Sequence, residues 1–348
     1  MSIPTLQVYL ESELLLMPSY LKNQLVDEMK ETNSVLEGED IDAFLLRILR
    51  EHQESFLIAY NKLVMRKSFK YSALFELDDS RNINDILDSI SCEENATTLT
   101  DSMQTLNPVR IDGALKFTFL LQGGRVENLE FRPYKTTYTI LVSFLEISGN
   151  KFVEIDADNV ATYFRHEDAN FFVNMINRVS EWLRNNCLLT LHPIDLVNVL
   201  DEFKNDVQNA TTQNSPLVSA QKMILGTGSQ ATLDSADSET IILPILGELK
   251  QLIEDNDDLF SQATDIKILL ENFITETEEE ADLPWITFIW DNRVKSKKMQ
   301  VKFFLSDQPY TLLNYYHHTR GRGGMNDATK CLLEKYSESR TGQVTGNT

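Results

Sequence analysis

Cysteine is scarce in this chain, and what there is lies scattered. Cys92, Cys187 and Cys331 are far apart and form no CxxC pair. An odd set of distant cysteines argues against a disulfide scaffold and against a zinc ribbon. It suits a reducing compartment, so a cytoplasmic protein is expected. Long apolar runs are missing too. None reaches the roughly 18 uncharged residues that a membrane-spanning helix needs. The opening stretch carries Glu11 and Glu13 inside its apolar residues and has no basic start, which speaks against a secretory leader. No repeat with a period of about 20–50 residues is present, so no solenoid is expected. HExxH, a Walker loop, GxSxG and the kinase motifs are all absent.

Positive charge is in short supply. Lys and Arg number 32 against 53 Asp and Glu, a net charge of −21. As a whole such a chain repels nucleic acid and anionic membrane. The imbalance is uneven, however. Residues 285–348 hold ten Lys/Arg and five Asp/Glu, a local +5; the remainder holds 22 and 48, a local −26. An acidic body with a basic end suggests head-to-tail association or one local anion-binding face.

The chain has an ordinary share of apolar residues, 42%, and its 348 residues leave room for two domains. Residues 1–66 read as helical. Ile41, Phe44, Leu45, Ile48 and Leu49 recur at helical spacing, with Asp40 or Asp42 as cap. Pro18 suits the first turn of an earlier helix.

Residues 67–205 read as an antiparallel-sheet α+β core. Segments 69–77, 115–122, 126–132, 137–147 and 151–156 are rich in aromatic and β-branched residues. Gly123-Gly124 and Ser148-Gly149-Asn150 are expected to be hairpin turns between consecutive strands. Helices follow at 158–165 and 168–186, with a third opening at Pro193.

Residues 206–240 are rich in Asn, Gln, Ser and Thr and read as a flexible linker or mobile loop. Residues 241–336 form a C-terminal segment: acidic helices, a basic hairpin, a helix near Tyr310–Tyr316, a glycine turn and a last helix. Residues 337–348 are polar and expected to be a disordered tail. The fold class expected is therefore α+β: a helical N-terminal region, an antiparallel meander packed with helices, and a C-terminal helix–hairpin–helix segment.

The candidate interface is the basic C-terminal end: Arg293, Lys295, Lys297, Lys298, Lys302, Arg320 and Arg322. Trp285, Trp290, Tyr310, Tyr315 and Tyr316 are interleaved with them. Such cations can dock on acidic protein, of the same or another copy. They can also contact phosphates while the aromatics stack on unpaired bases. The stretch "HHTRGRGGMNDATK", His317 to Lys330, reads first as a turn before the last helix, with its arginines as contacts.

Other constellations carry bland readings. His317 and His318 are adjacent, so on a helix they face different ways, and they lack a catalytic partner. "GTGSQA" at 226–231 lacks the strand and helix that a dinucleotide fingerprint needs. Glu154, Asp156 and Asp158 share one side at period two; a Mg²⁺ site is conceivable on paper. The expectation is that Asp158 caps a helix and the others face solvent. Asp112, Glu130 and Arg132 outline a metal-dependent nuclease core, but Arg is a poor stand-in for the lysine of that pattern. Cys187 is read as a structural thiol.

These observations favour a non-enzymatic intracellular scaffold that self-assembles through its basic C-terminal segment and tail, as an inclusion matrix or a complex subunit. Its expected partner is itself, as a homo-oligomer, or an acidic protein surface. No cofactor, metal or membrane is expected. Single-stranded RNA or DNA binding by the 285–324 face is the alternative, and a metal-dependent nuclease is the second alternative.

Overall fold

The computed structural model describes residues 6–30, 39–90, 92, 108–127, 129–165, 168–208, 216–224, 230–234, 249, 252–253, 255–261, 263–279, 282–292, 297–305, 308–316 and 321–345. The chain divides into two compact units. Unit 1 comprises Met1–Ile194 and Arg320–Ser337; unit 2 comprises Asp195–Thr319 and Glu338–Thr348. Both combine helices with antiparallel strands, so the fold is α+β. Among the described residues, no helix is long and apolar enough to cross a membrane.

Unit 1 opens with four helices: α1 (Leu6–Leu16), α2 (Ser19–Lys30), α3 (Ile41–Glu51) and α4 (Gln53–Arg66). The side chain of Asp40 accepts from the Ala43 N–H at 2.8 Å and so caps α3. Phe44, Leu45, Ile48 and Leu49 form its buried stripe.

The strands follow: β1 (Tyr71–Asp78), β2 (Val109–Ile111), β3 (Ala114–Glu127), β4 (Glu130–Ile147), β5 (Asn150–Ala157) and β6 (Thr190–Pro193). Helix α5 (Ile83–Ser89) follows β1, and α6 (Phe171–Cys187) lies between β5 and β6. The order of these strands is β2-β3-β4-β5-β1, and β6 pairs with β1 over Phe75–Asp78.

Two turns were expected here, and one forms. Ser148 and Gly149, both with positive φ, turn β4 into β5. Gly123 and Gly124 do not turn: β3 runs through them, paired to Tyr134 and Pro133 of β4. Both glycines are needed for close approach instead. The Tyr163 carbonyl occupies the space of a Cβ on Gly123, and the Phe131 ring occupies that of a Cβ on Gly124. The helix expected at 158–165 shrinks to one 3-10 turn, Thr162–Phe164. Pro193 ends β6 rather than opening a helix.

Strand β5 is buried on both faces. Val153, Ile155 and Ala157 share the face on which α6 packs. Phe152, Glu154 and Asp156 face the other way, toward the first half of the C-terminal helix α10 (Gly323–Thr345). That helix runs through 337–345, where a disordered tail was expected.

In unit 2, α7 (Val197–Gln208) precedes β7 (Leu217–Ile224) and β8 (Gln230–Asp234). Both strands fall inside the stretch read as linker. The short α8 (Asp257–Phe260), α9 (Thr264–Glu279), β9 (Asp282–Asn292), β10 (Lys297–Phe304) and β11 (Leu312–Tyr316) complete the unit. Its strand order is β11-β10-β9-β7-β8, with antiparallel neighbours. Tyr310–Tyr316, read as a helix, thus supplies a strand. Val301, Phe303, Ile286 and Phe288 are fully buried on one sheet face, and Phe203 of α7 meets Phe288 edge-on at 6.2 Å.

Candidate functional site

The seven candidate cations do not form one exposed face. Arg293, Lys295 and Arg320 lie outside the described residues, as do His317 and His318. The backbones of Lys297 and Lys298 begin β10, paired with Asn292 and Asp291 across the hairpin.

Arg322 is the main correction. It is buried in unit 1, not presented on a surface. Gly321, at φ 130°, makes the turn that admits it, and the Arg322 N–H donates to the Arg66 carbonyl at 2.9 Å. Its Nη2 donates to Glu154 Oε2 at 3.2 Å, to Ser143 Oγ at 3.0 Å and to Asp156 Oδ2. Thr329, two turns on, donates to Glu154 Oε1 at 2.6 Å, and Ser72 donates to Asp156. Strand register explains the convergence. Ser72 pairs with Asp156, and Ser143 with Glu154, so all four point to the same face. Burial pushes the Asp156 carboxyl above the usual carboxylate range, and Arg322 pulls against it. The expectation that Glu154 and Asp156 face solvent is overturned. They are the acidic partners of an arginine in the same chain.

Asp158 caps no helix. It pairs with Lys67 of unit 1 at 2.5 Å and accepts from the Asn159 N–H at 2.8 Å. This pair borders a cavity of about 320 Å³. Tyr60 donates to Glu13 Oε1 at 2.5 Å, and Thr137 donates to Glu13 Oε2, on the same wall. Leu16, Leu21 and Val160 supply apolar walls. Burial holds Glu13 above the usual carboxylate range, with Lys67 and the Tyr60 hydrogen bond opposing it. Burial also works to lower the Lys67 ammonium, but Asp158 and Glu13 together hold it above the ordinary lysine range. The sequence reading missed this group because its members come from α1, α4, β4 and a loop.

Asp112 and Glu130 are kept apart. Asp112 is in the β2–β3 turn, beside the start of β3; Glu130 pairs with Glu127 at its far end. The strand between them spans roughly 40 Å at about 3.3 Å per residue. Arg132 is on the same distant ribbon as Glu130. Among the described residues, no group of three or more His, Cys, Asp and Glu is placed to hold a metal. Of "GTGSQA", only Gln230 and Ala231 are described, and they begin strand β8 rather than a helix. Cys187 is half-buried at the end of α6, and burial is the main cause that pushes its thiol up to about 11.

Lys302 remains as the described cation of the basic face in unit 2. It is half-buried, its ammonium 3.5 Å from the Trp285 ring centroid and 5.0 Å from that of Phe304. Register places it on the sheet face opposite Val301 and Phe303, with Thr287 and Asn314 as its cross-strand partners. Lys222 of β7 pairs with Trp285, so it stands on this face as well. Burial, and then the charge of Lys222, hold the Lys302 ammonium below the ordinary lysine range. No sequence signal pointed to Lys222, which sits in the stretch read as linker.

The chain matches no known family, no curated protein and no solved structure.

Proposed function

We propose that this chain is a non-enzymatic interaction protein that self-associates through unit 2. The observation carrying the reading is one face of α9. Ile266, Leu269 and Phe273, spaced three and four apart, are 55%, 69% and 55% exposed. Leu259 of α8 adds to the exposed apolar surface. The sequence around it is acidic: residues 254–280 hold ten Asp/Glu and one Lys, and that Lys267 is engaged by Asp257 at 2.7 Å. An apolar helix face with an acidic margin fits a partner that is apolar and basic.

The occupant we assign is a second copy of unit 2. Lys297 and Lys298 open its β10, and Arg293 and Lys295 shortly precede them in sequence. A basic segment on one copy and an acidic face on the next make a head-to-tail contact, which grows chains or closes rings. Arg322 has no part in it. Cysteine usage suits a reducing interior as the place of assembly.

The test is light scattering after size exclusion at low and high salt. The reading expects an oligomer that salt weakens, that Leu269→Asp abolishes, and that Lys297→Glu with Lys298→Glu weakens. Adding Asp265→Lys and Glu271→Lys to the latter should restore it. A monomer in every condition, or an oligomer indifferent to these substitutions, overturns the reading.

A further inference from the structure

The two faces of the unit 2 sheet differ in kind. One is apolar and meets α7. The other sets Trp285 and Phe304 beside Lys222 and Lys302, with Asn314 and Tyr316 along the next strand. Two features of this face are unexplained by the fold. Lys222 and Lys302 lie close enough for one charge to disfavour the other, and neither makes an ion pair with a described carboxylate. Like charges held together on a partly desolvated aromatic bed are stabilised when an anion bridges them. Asn314, the strand partner of Lys302, is 4% exposed. Its Nδ2 donates to the Tyr316 hydroxyl at 2.9 Å, and its Oδ1 has no hydrogen-bond partner. A buried amide oxygen left so is costly and awaits a donor.

We propose that Lys222, Lys302, Trp285 and Asn314 form a nucleotide subsite on this face. The two ammoniums take the phosphate. The aromatic pair lies alongside a planar base, and Asn314 Oδ1 accepts from an N–H or O–H of the base or sugar. The lysine pair calls for an anion, the aromatic bed for a flat ring, and the amide for a donor. A phosphorylated nucleoside carries all three. It can come as a free mononucleotide or as part of a single strand. The site does not depend on the self-association reading, since it uses neither α9 nor the basic residues 293–298.

The experiment titrates full-length protein with AMP, UMP, adenosine, inorganic phosphate and a short single-stranded oligonucleotide. It follows Trp fluorescence and, for the oligonucleotide, anisotropy, at two salt concentrations. Saturable binding of the mononucleotides is expected, weaker by about tenfold in Lys222→Met and in Lys302→Met, as for loss of one charge-assisted contact. Lys302→Arg should keep most of it. Matched melting curves show that the variants fold, and Lys222→Met on β7 gives an independent check on Lys302→Met. Binding of mononucleotides and strand alike supports the subsite with a free nucleotide as ligand. Binding of the strand alone, salt-dependent and lysine-dependent, supports it with nucleic acid as the source. Three outcomes overturn it: no saturable binding, binding that both lysine variants leave unchanged, or phosphate bound as tightly as AMP.

Discussion

The carbonyl oxygen of Tyr163 fills the space that a Cβ on Gly123 would need, and Gly124 next door is covered by the ring of Phe131. The obstacles differ. At Gly123 it is backbone from the 3-10 turn, with Phe164 Cδ1 at 2.9 Å behind it. At Gly124 it is chiefly an exposed side chain that can swing aside. Gly123→Ala should therefore destabilise the protein by about 1–3 kcal/mol, the range for overpacking. Gly124→Ala should cost clearly less. Urea denaturation of the two variants side by side checks this, and equal losses would contradict it.

Arg322 is the cation that Glu154 and Asp156 are buried against. Arg322→Met should cost about 3–5 kcal/mol, because two carboxylates are left uncompensated. The sign of the pH effect follows. Without the guanidinium, the buried Asp156 carboxyl titrates higher in the folded state than in the unfolded state. The stability this gives is fully present below the unfolded value and is lost as pH rises through the folded one. The variant should therefore recover stability near pH 5 relative to pH 7. A loss under about 1 kcal/mol at neutral pH would show that the pair is not buried as described.

Lys116 is buried on β3, its Nζ 2.5 Å from Asn61 Oδ1 and 5.3 Å from the Tyr60 ring centroid. Burial pushes its ammonium down to about 8, against the pull of Glu13. The unfolded chain then binds more protons than the folded one between about pH 8 and 10.5, so stability rises with pH across that window. Lys116→Met should flatten this rise, and at neutral pH it should be neutral or stabilising. Denaturation midpoints measured at half-unit pH steps decide the matter; parallel curves would count against it.

Much of the fold was legible where one face of an element is solvated. The α3 stripe and the Ser148–Gly149 turn show their periods and turn residues openly. Legibility failed where burial is two-sided. Leu312–Asn314 are buried throughout, so β11 offers no alternation to separate it from a helix. Composition misled at 217–224, since Ser, Ala, Gln and Lys dilute the apolar residues of β7. The site residues were harder still. Glu154 and Asp156 look like surface carboxylates until the arginine that neutralises them is known. Lys302 stood out in a basic sequence, but Lys222 becomes its neighbour only through the pairing of β7 with β9.

Unit 1 is discontinuous, and this has a consequence for the making of the protein. Arg322 follows Asp156 by 166 residues, with nearly all of unit 2 between them. A ribosome adding about 5–20 residues each second takes roughly 8–33 s to cover that distance. Throughout that time the nascent sheet carries two carboxylates with no counter-ion, and β5 lacks the helix that covers one face. A chain stalled or cut within unit 2 keeps that defect permanently. The first unit is thus sealed by its last-made piece.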